Sequence, residues 1–180
     1  MERLKEYFAY FMMYSVIGWC YEVFLEVVVY HWGFSNRGVL WGPYCPVYGV
    51  GALAFIFCFR KRMKKRECLS RKLLELLLVG VGCMIVATGI ELAASYLLEA
   101  LTGAWPWQTY ADYRYHFQAR IALSPSVRFG IGGVIFLYIL QPILEKLVQH
   151  CPAKVFNRCV YALAAIMAAD GIFTAGKLFR

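Results

Sequence analysis

The sequence predicts an all-α integral membrane protein, a bundle of about five transmembrane helices whose second helix is entered through a Gly/Pro-rich segment that could be re-entrant. Of its 180 residues, 61% are hydrophobic and 17% are charged, and the mean hydropathy is +0.55. Soluble domains average about 45–50% apolar and about 25% charged residues. The apolar residues also run in stretches long enough to cross a bilayer. At this length we expect a single transmembrane domain, residues 1–180.

Each expected span is a long apolar stretch bounded by charged or turn-forming residues. A helix needs about 20 such residues to cross about 30 Å of hydrocarbon. The expected spans are 7–30, 44–59, 73–101, 126–147 and 155–173. The fifth is short, so it could be displaced or re-entrant.

The distribution of Lys and Arg predicts the orientation of the chain. The loop after the second span is the most basic segment, and it carries Arg60, Lys61, Arg62, Lys64, Lys65, Arg66, Arg71 and Lys72. Positively charged loops stay in the cytoplasm. We therefore expect a multi-pass protein of the cell membrane with a cytoplasmic N-terminus and an extracytoplasmic C-terminus. Segments 36–46 and 105–126 then lie on the extracytoplasmic side.

Several function classes find no support in the sequence. The net charge of +8 comes largely from that one loop, so no nucleic-acid partner is expected. The seven Cys form no C-x-x-C pair, and the three His have no metal-ligand spacing, so no metal site and no cofactor is expected. A phosphate-binding Gly loop followed by Lys-Ser/Thr is also missing, so the chain is not itself an NTPase. An enzymatic activity stays open but is the weaker expectation.

The stretch Asn36–Ala52 is the most unusual part of the sequence. It contains Arg37, four Gly and two Pro, and it leads directly into an apolar run. Irregular backbone persists at membrane depth only where protein or a water-filled cavity covers it. The stretch is thus either a binding or transport site, or a helix entry shaped by Gly and Pro that only packs.

Ionisable residues inside the spans are the second candidate feature. Glu22, Glu91 and Asp170 fall within expected spans, and Arg37 and Arg120 are their obvious cationic partners. Such residues are costly in a bilayer and usually have a partner or a function. They could form a polar cavity for a cation, a proton or an amine, or a buried ion-pair cluster that fixes helix packing. Glu26 and Glu99 lie closer to the interface and are expected to be snorkelling or rim residues.

Aromatic residues crowd the connection before the fourth span. They could line a ligand entrance, but an aromatic belt at the membrane–water interface is the simpler interpretation. These residues are Trp105, Trp107, Tyr110, Tyr113, Tyr115 and Phe117. The basic loop is expected to attract anionic lipid and could also serve as a docking site for an ATPase.

Two motifs carry a family resemblance. Ser15-x-x-Gly18-Trp19-x-x-Glu22, followed by Asn36-Arg37-Gly38-x-Leu40-x-Gly42-Pro43-x-x-Pro46-x-Tyr48-Gly49-x-Gly51-Ala52, resembles the bacterial family called putative ABC-transporter type IV. The resemblance continues through Glu91, Ser95, Leu98, Glu99, Arg120-Ile121, Ser126, Gly130 and Asp170. The chain departs from the family pattern at Gln108-Thr109-Tyr110, where Trp-Asp-Tyr-Ser is usual, and at Ala119, which precedes Arg120 in place of the usual Gly.

The resemblance implies a transport permease. We expect a membrane transport component that contacts membrane lipid, forms a homo-oligomer or joins a partner membrane subunit, and can work with an ATPase subunit. The alternatives are a membrane enzyme acting on a lipid or isoprenoid, and a non-catalytic scaffold or sensor. The candidate ligand-binding residues are Glu22, Asn36, Arg37, Tyr48, Glu91, Arg120 and Asp170. Glu22, Arg37, Glu91 and Arg120 are expected to lie close together in the outer half of the bilayer, because convergent charges offset one another's desolvation.

Overall fold

The structure is a computed structural model, and it describes residues 2–36, 38, 40–60 and 69–178. The helices are α1 (Glu2–Phe24), α2 (Pro46–Phe59), α3 (Leu69–Thr102), α4 (Leu123–Ile135), α5 (Gln141–His150) and α6 (Ala153–Leu178). π-helical turns extend α1 over Leu25–Val29 and join α4 to α5 over Phe136–Leu140. A 3₁₀ turn at Gln108–Asp112 precedes a two-stranded hairpin, β1 (His116–Phe117) and β2 (Ile121–Ala122).

The helix lengths confirm the predicted all-α membrane fold. Within the described residues, four helical segments are long and apolar enough to cross a membrane: Glu2–Val29, Arg71–Thr102, Leu123–His150 and Ala153–Lys177. The fifth apolar helix, α2, has 14 residues and rises only about 21 Å. The final helix, for which the sequence predicted a span of 155–173, is among the long ones, and the second helix is the short one.

The start of α2 follows from its sequence. Pro46 is its first residue, a position where the missing N–H costs nothing and the fixed φ suits a helix. The preceding Trp41–Cys45 segment is non-helical. The predicted irregular entry to the second helix is thus confirmed. The basic run 61–66 lies outside the described residues.

The chain divides into two compact units. The first takes Met1–Leu53 and Lys146–Arg180, and the second takes Ala54–Glu145.

In the first unit, two glycines let α2 lie against α1. A Cβ at Gly18 would overlap the Tyr48 ring, and a Cβ at Gly49 would lie 2.6 Å from the Phe11 carbonyl oxygen. Ser15 is fully buried beside Gly49, and its carbonyl accepts a 2.8 Å hydrogen bond from the Cys45 N–H. The small residues of α1 therefore face protein, as their helical spacing predicts.

In the second unit, α3 and α4 pack through glycines. A Cβ on Gly130 would lie 2.8 Å from the Gly80 carbonyl oxygen, and one on Gly133 would lie 2.6 Å from the Cys83 Cβ. Cys83 is completely buried. Ile56, Val79 and Leu137 also belong to the buried core of this unit. At Gly130 the neighbouring atom belongs to the backbone of α3. No side chain can therefore move aside to make room for a larger residue at this position.

Gly130→Ala should test this close packing. The added methyl group meets backbone, so α3 and α4 must separate, and we expect a loss of about 1–3 kcal/mol in unfolding free energy. Gly132→Ala is the matched control, since its Cβ would have nothing within 4 Å and alanine favours helix. Thermal unfolding in detergent measures both. Equal melting temperatures for the two variants would contradict the packing described here.

Candidate functional site

One face of α3 carries a stripe of polar side chains in the second unit. Thr88, Glu91, Ser95 and Glu99 follow at helical spacing, and we call them the α3 stripe. Glu91 is 9% exposed and Ser95 is fully buried. The Thr88 hydroxyl donates to Ser126 Oγ at 2.8 Å, and the Tyr110 hydroxyl donates to Glu91 Oε1 at 2.8 Å. Glu91 and Ser95, in the middle of the stripe, therefore face protein.

Arg120 closes the stripe at the C-terminal end of α3. Its side chain is buried, with the residue 6% exposed. Nη2 pairs with the Glu99 carboxylate and Nη1 donates to Ser95 Oγ at 3.4 Å. The guanidinium carbon lies 4.1 Å from the Tyr96 ring centre and 4.0 Å from that of Trp105. Two aromatic faces and one carboxylate thus offset the desolvation of this buried charge.

The hairpin turn sets the position of Arg120. Gln118 and Ala119 both have positive φ, at 52° and 54°, which brings the Arg120 N–H to 2.9 Å from the Phe117 carbonyl oxygen. The Trp105 and Trp107 indoles donate to the carbonyls of Ala119 and Arg120, at 3.0 and 2.9 Å. The turn is therefore held in place by the preceding aromatic connection.

Three residues of this site were missed or only partly predicted from the sequence. Tyr96 received no role, and Trp105 was attributed to an interfacial belt or a ligand entrance, yet both stack on Arg120. Glu99 was expected to be a snorkelling or rim residue. Its side chain is 40% exposed, but its carboxylate is paired with Arg120. The pair of tryptophans at 105 and 107 was the sequence feature that could have indicated an aromatic contact here. Because they lie 13–15 residues before Arg120, the sequence did not show that Arg120 is their partner.

In the first unit, polar residues of α1 bind the Gly/Pro motif. The Tyr48 hydroxyl donates to Glu22. Asn36 accepts from the Trp19 indole at 2.8 Å, and its amide donates to the Trp41 carbonyl at 3.0 Å. Glu26 is buried rather than snorkelling, since it is 6% exposed and accepts from the Ser35 hydroxyl at 2.8 Å. This corrects the expectation for Glu26.

Asp170 fixes the same motif to α6. Its carboxylate accepts from the backbone N–H groups of Trp41 and Gly42 at 3.1 and 2.8 Å. It also accepts from the hydroxyls of Tyr44 at 2.5 Å and Thr174 at 3.3 Å. Tyr44 is itself buried, with the residue 3% exposed, and its hydroxyl is the donor in this contact.

The predicted site residues fall into both units. Glu22, Asn36, Tyr48 and Asp170 lie in the first unit, whereas Glu91 and Arg120 lie in the second. Arg37 lies outside the described residues. The expected convergence of Glu22, Arg37, Glu91 and Arg120 thus stays a prediction. In the described part of the chain, no three His, Cys, Asp or Glu side chains are grouped as metal ligands.

Comparison with known protein families identifies the chain. A family model matches residues 9–175 of the chain, which is nearly its whole length. The chain belongs to the family described as "Putative ABC-transporter type IV". The resemblance in the Ser15–Glu22 and Asn36–Ala52 motifs is thereby confirmed. The match to this family includes both the α3 stripe and the Asp170 contact. No curated protein and no solved structure matches the chain.

Proposed function

We propose that the chain is the membrane-spanning component of an ABC-type transport system, folded as one transmembrane domain. The observation that carries this proposal is the α3 stripe, in which carboxylates and hydroxyls follow one face of a membrane-length helix and Glu91 and Ser95 are buried. From Thr88 to Glu99 the stripe covers about 16 Å, roughly half the hydrocarbon thickness. Ionisable residues at membrane depth are costly, and they commonly mark substrate or ion pathways.

The chemistry of the stripe favours a small hydrophilic cation as the solute. Glu91 and Glu99 supply two carboxylates, and the hydroxyls of Thr88, Ser95 and Tyr110 supply neutral oxygen ligands. Arg120 neutralises Glu99 through their ion pair. Glu91 is then the carboxylate that would bind the cation within the stripe. In the same proposal, four polar side chains of the first unit keep the Gly/Pro motif, which contains Arg37, in position. They are Glu22, Asn36, Tyr48 and Asp170.

Energy would come from a separate subunit, since the sequence has no phosphate-binding loop of its own. Affinity purification of the tagged chain from native membranes should therefore recover a second polypeptide together with ATPase activity. Glu91→Gln should strongly reduce that activity without changing the amount of complex. Glu75→Gln is the matched control, because Glu75 is on α3 but outside the stripe. A chain recovered alone and without ATPase activity would argue against the proposal.

The proposed orientation has its own test. On a Cys-less background, Lys64→Cys should react with a membrane-impermeant thiol reagent from the cytoplasm only, since basic loops remain inside. Asp112→Cys, at an exposed position of the 3₁₀ turn, should react from the outside only. Modification of both positions from the same side would mean that α3 does not cross the membrane between them.

A further inference from the structure

The hairpin before α4 exposes large apolar side chains. We call residues 113–128 the hairpin segment. Tyr115, Phe117, Leu123 and Val127 in this segment are 62%, 52%, 50% and 42% exposed. Tyr115 and Phe117 precede the membrane-length helix that begins at Leu123, so a transmembrane location does not account for them. Such a concentration of apolar surface usually marks an interaction surface.

The backbone of the hairpin segment is suited to a partly apolar environment. Three of its N–H groups have partners within the segment. Arg120 donates to the Phe117 carbonyl at 2.9 Å, and Leu123 donates to the Tyr115 carbonyl at 3.0 Å. The Ala119 N–H donates to His116 Nδ1 at 3.2 Å. Because these donors are satisfied internally, moving the turn out of water costs little in backbone desolvation.

Basic side chains border the apolar ones. The Arg114 guanidinium carbon lies 5.4 Å from the Tyr115 ring centre. Arg128 donates to the Tyr113 hydroxyl at 2.8 Å and to Ser124 Oγ at 3.2 Å. Both arginines are exposed. Apolar rings flanked by cations match the boundary between acyl chains and anionic headgroups.

We propose that the hairpin segment is an interfacial wedge that binds anionic phospholipid. Tyr115 and Phe117 insert at the acyl boundary, and Arg114 and Arg128 contact lipid phosphates. This proposal goes beyond the transport function and does not depend on it. The proposal also has a structural consequence. Arg120 lies at the turn of the wedge, so a shift of the wedge would change the distance between Arg120 and Glu99.

Depth measurements by spin labelling test the insertion. Phe117→Cys is labelled in vesicles of phosphatidylcholine and phosphatidylglycerol, in a chain that keeps only the buried Cys45 and Cys83 as native thiols. The label should collide more often with oxygen than with a water-soluble nickel complex. Ala111→Cys, exposed on the 3₁₀ turn, is the control and should show the opposite ratio.

Two outcomes of that measurement would overturn the wedge. If the label at position 117 collides with the nickel complex as often as the label at position 111 does, the hairpin lies in water. A label shielded from both oxygen and nickel would mean that a protein subunit covers the hairpin.

Lipid retention tests the headgroup contact separately. Native mass spectrometry of protein released from nanodiscs counts bound phosphatidylglycerol and phosphatidylcholine. Arg114→Gln and Arg128→Gln should each weaken phosphatidylglycerol retention about fivefold, with phosphatidylcholine unchanged. The Lys variants at both positions keep the charge and should retain the lipid. Equal losses of both lipids, or no loss at all, would contradict a site for anionic headgroups.

Discussion

Arg120→Ala should destabilise the protein by about 3 kcal/mol in unfolding free energy. The change removes the ion pair with Glu99 and the hydrogen bond to Ser95, and it leaves a gap between two aromatic faces. Glu99 is partly solvated, so most of the loss should come from the ring contacts and the gap. Thermal unfolding and the monodisperse fraction after detergent extraction measure the effect.

The control for this prediction is Arg158→Ala, which removes an exposed arginine from α6 and should change stability by less than about 0.5 kcal/mol. Arg120→Lys separates charge from stacking, because lysine keeps the charge but lacks the planar group that lies between the rings. We expect Arg120→Lys to recover only part of the loss. Full stability in Arg120→Ala would mean that the buried guanidinium does not hold the hairpin to α3.

Asp170→Ala should cost about 3–4 kcal/mol in unfolding free energy. Four donors lose their acceptor at once: the N–H groups of Trp41 and Gly42 and the hydroxyls of Tyr44 and Thr174. The segment before α2 would then lose its attachment to α6. Limited proteolysis between residues 31 and 45, together with thermal unfolding, should report that release.

Asp170→Asn tests the same contact with little change in shape. An amide keeps one acceptor oxygen but turns an NH₂ group toward the remaining donors, so we expect a loss smaller than that of alanine. Asp112→Asn is the control, since Asp112 is exposed on the 3₁₀ turn. Unchanged protease resistance in both Asp170 variants would show that this carboxylate does not fix the motif.

The carboxylates of Asp170 and Glu91 differ in how easily a ligand could reach them. Asp170 already accepts four hydrogen bonds from the first unit, so a ligand would have to displace the Gly/Pro motif to reach it. Glu91 instead lies in a stripe of hydroxyl groups, which can reorient toward a solute without breaking backbone structure. For this reason Glu91, rather than Asp170, is the residue on which the transport proposal depends.

The sequence by itself determined the class of the protein and the places of its helices. Apolar runs near 20 residues have few alternatives to membrane helices, and the helices of the structure contain nearly all of the predicted spans. The Gly and Pro residues of Asn36–Ala52 likewise predicted a break before α2, because their backbone restrictions are local. The same motif, with its neighbours, was sufficient to indicate the family.

Only the tertiary structure decided which polar groups meet. Arg120 reaches Tyr96 and Trp105 because Gln118 and Ala119 adopt positive φ, a conformation that neither residue type signals in a sequence. Asp170 bonds to groups 126–129 residues away, and helical periodicity carries no information about such distant pairs. Periodicity shows which face of a helix is polar, whereas the partner of that face depends on how the helices pack.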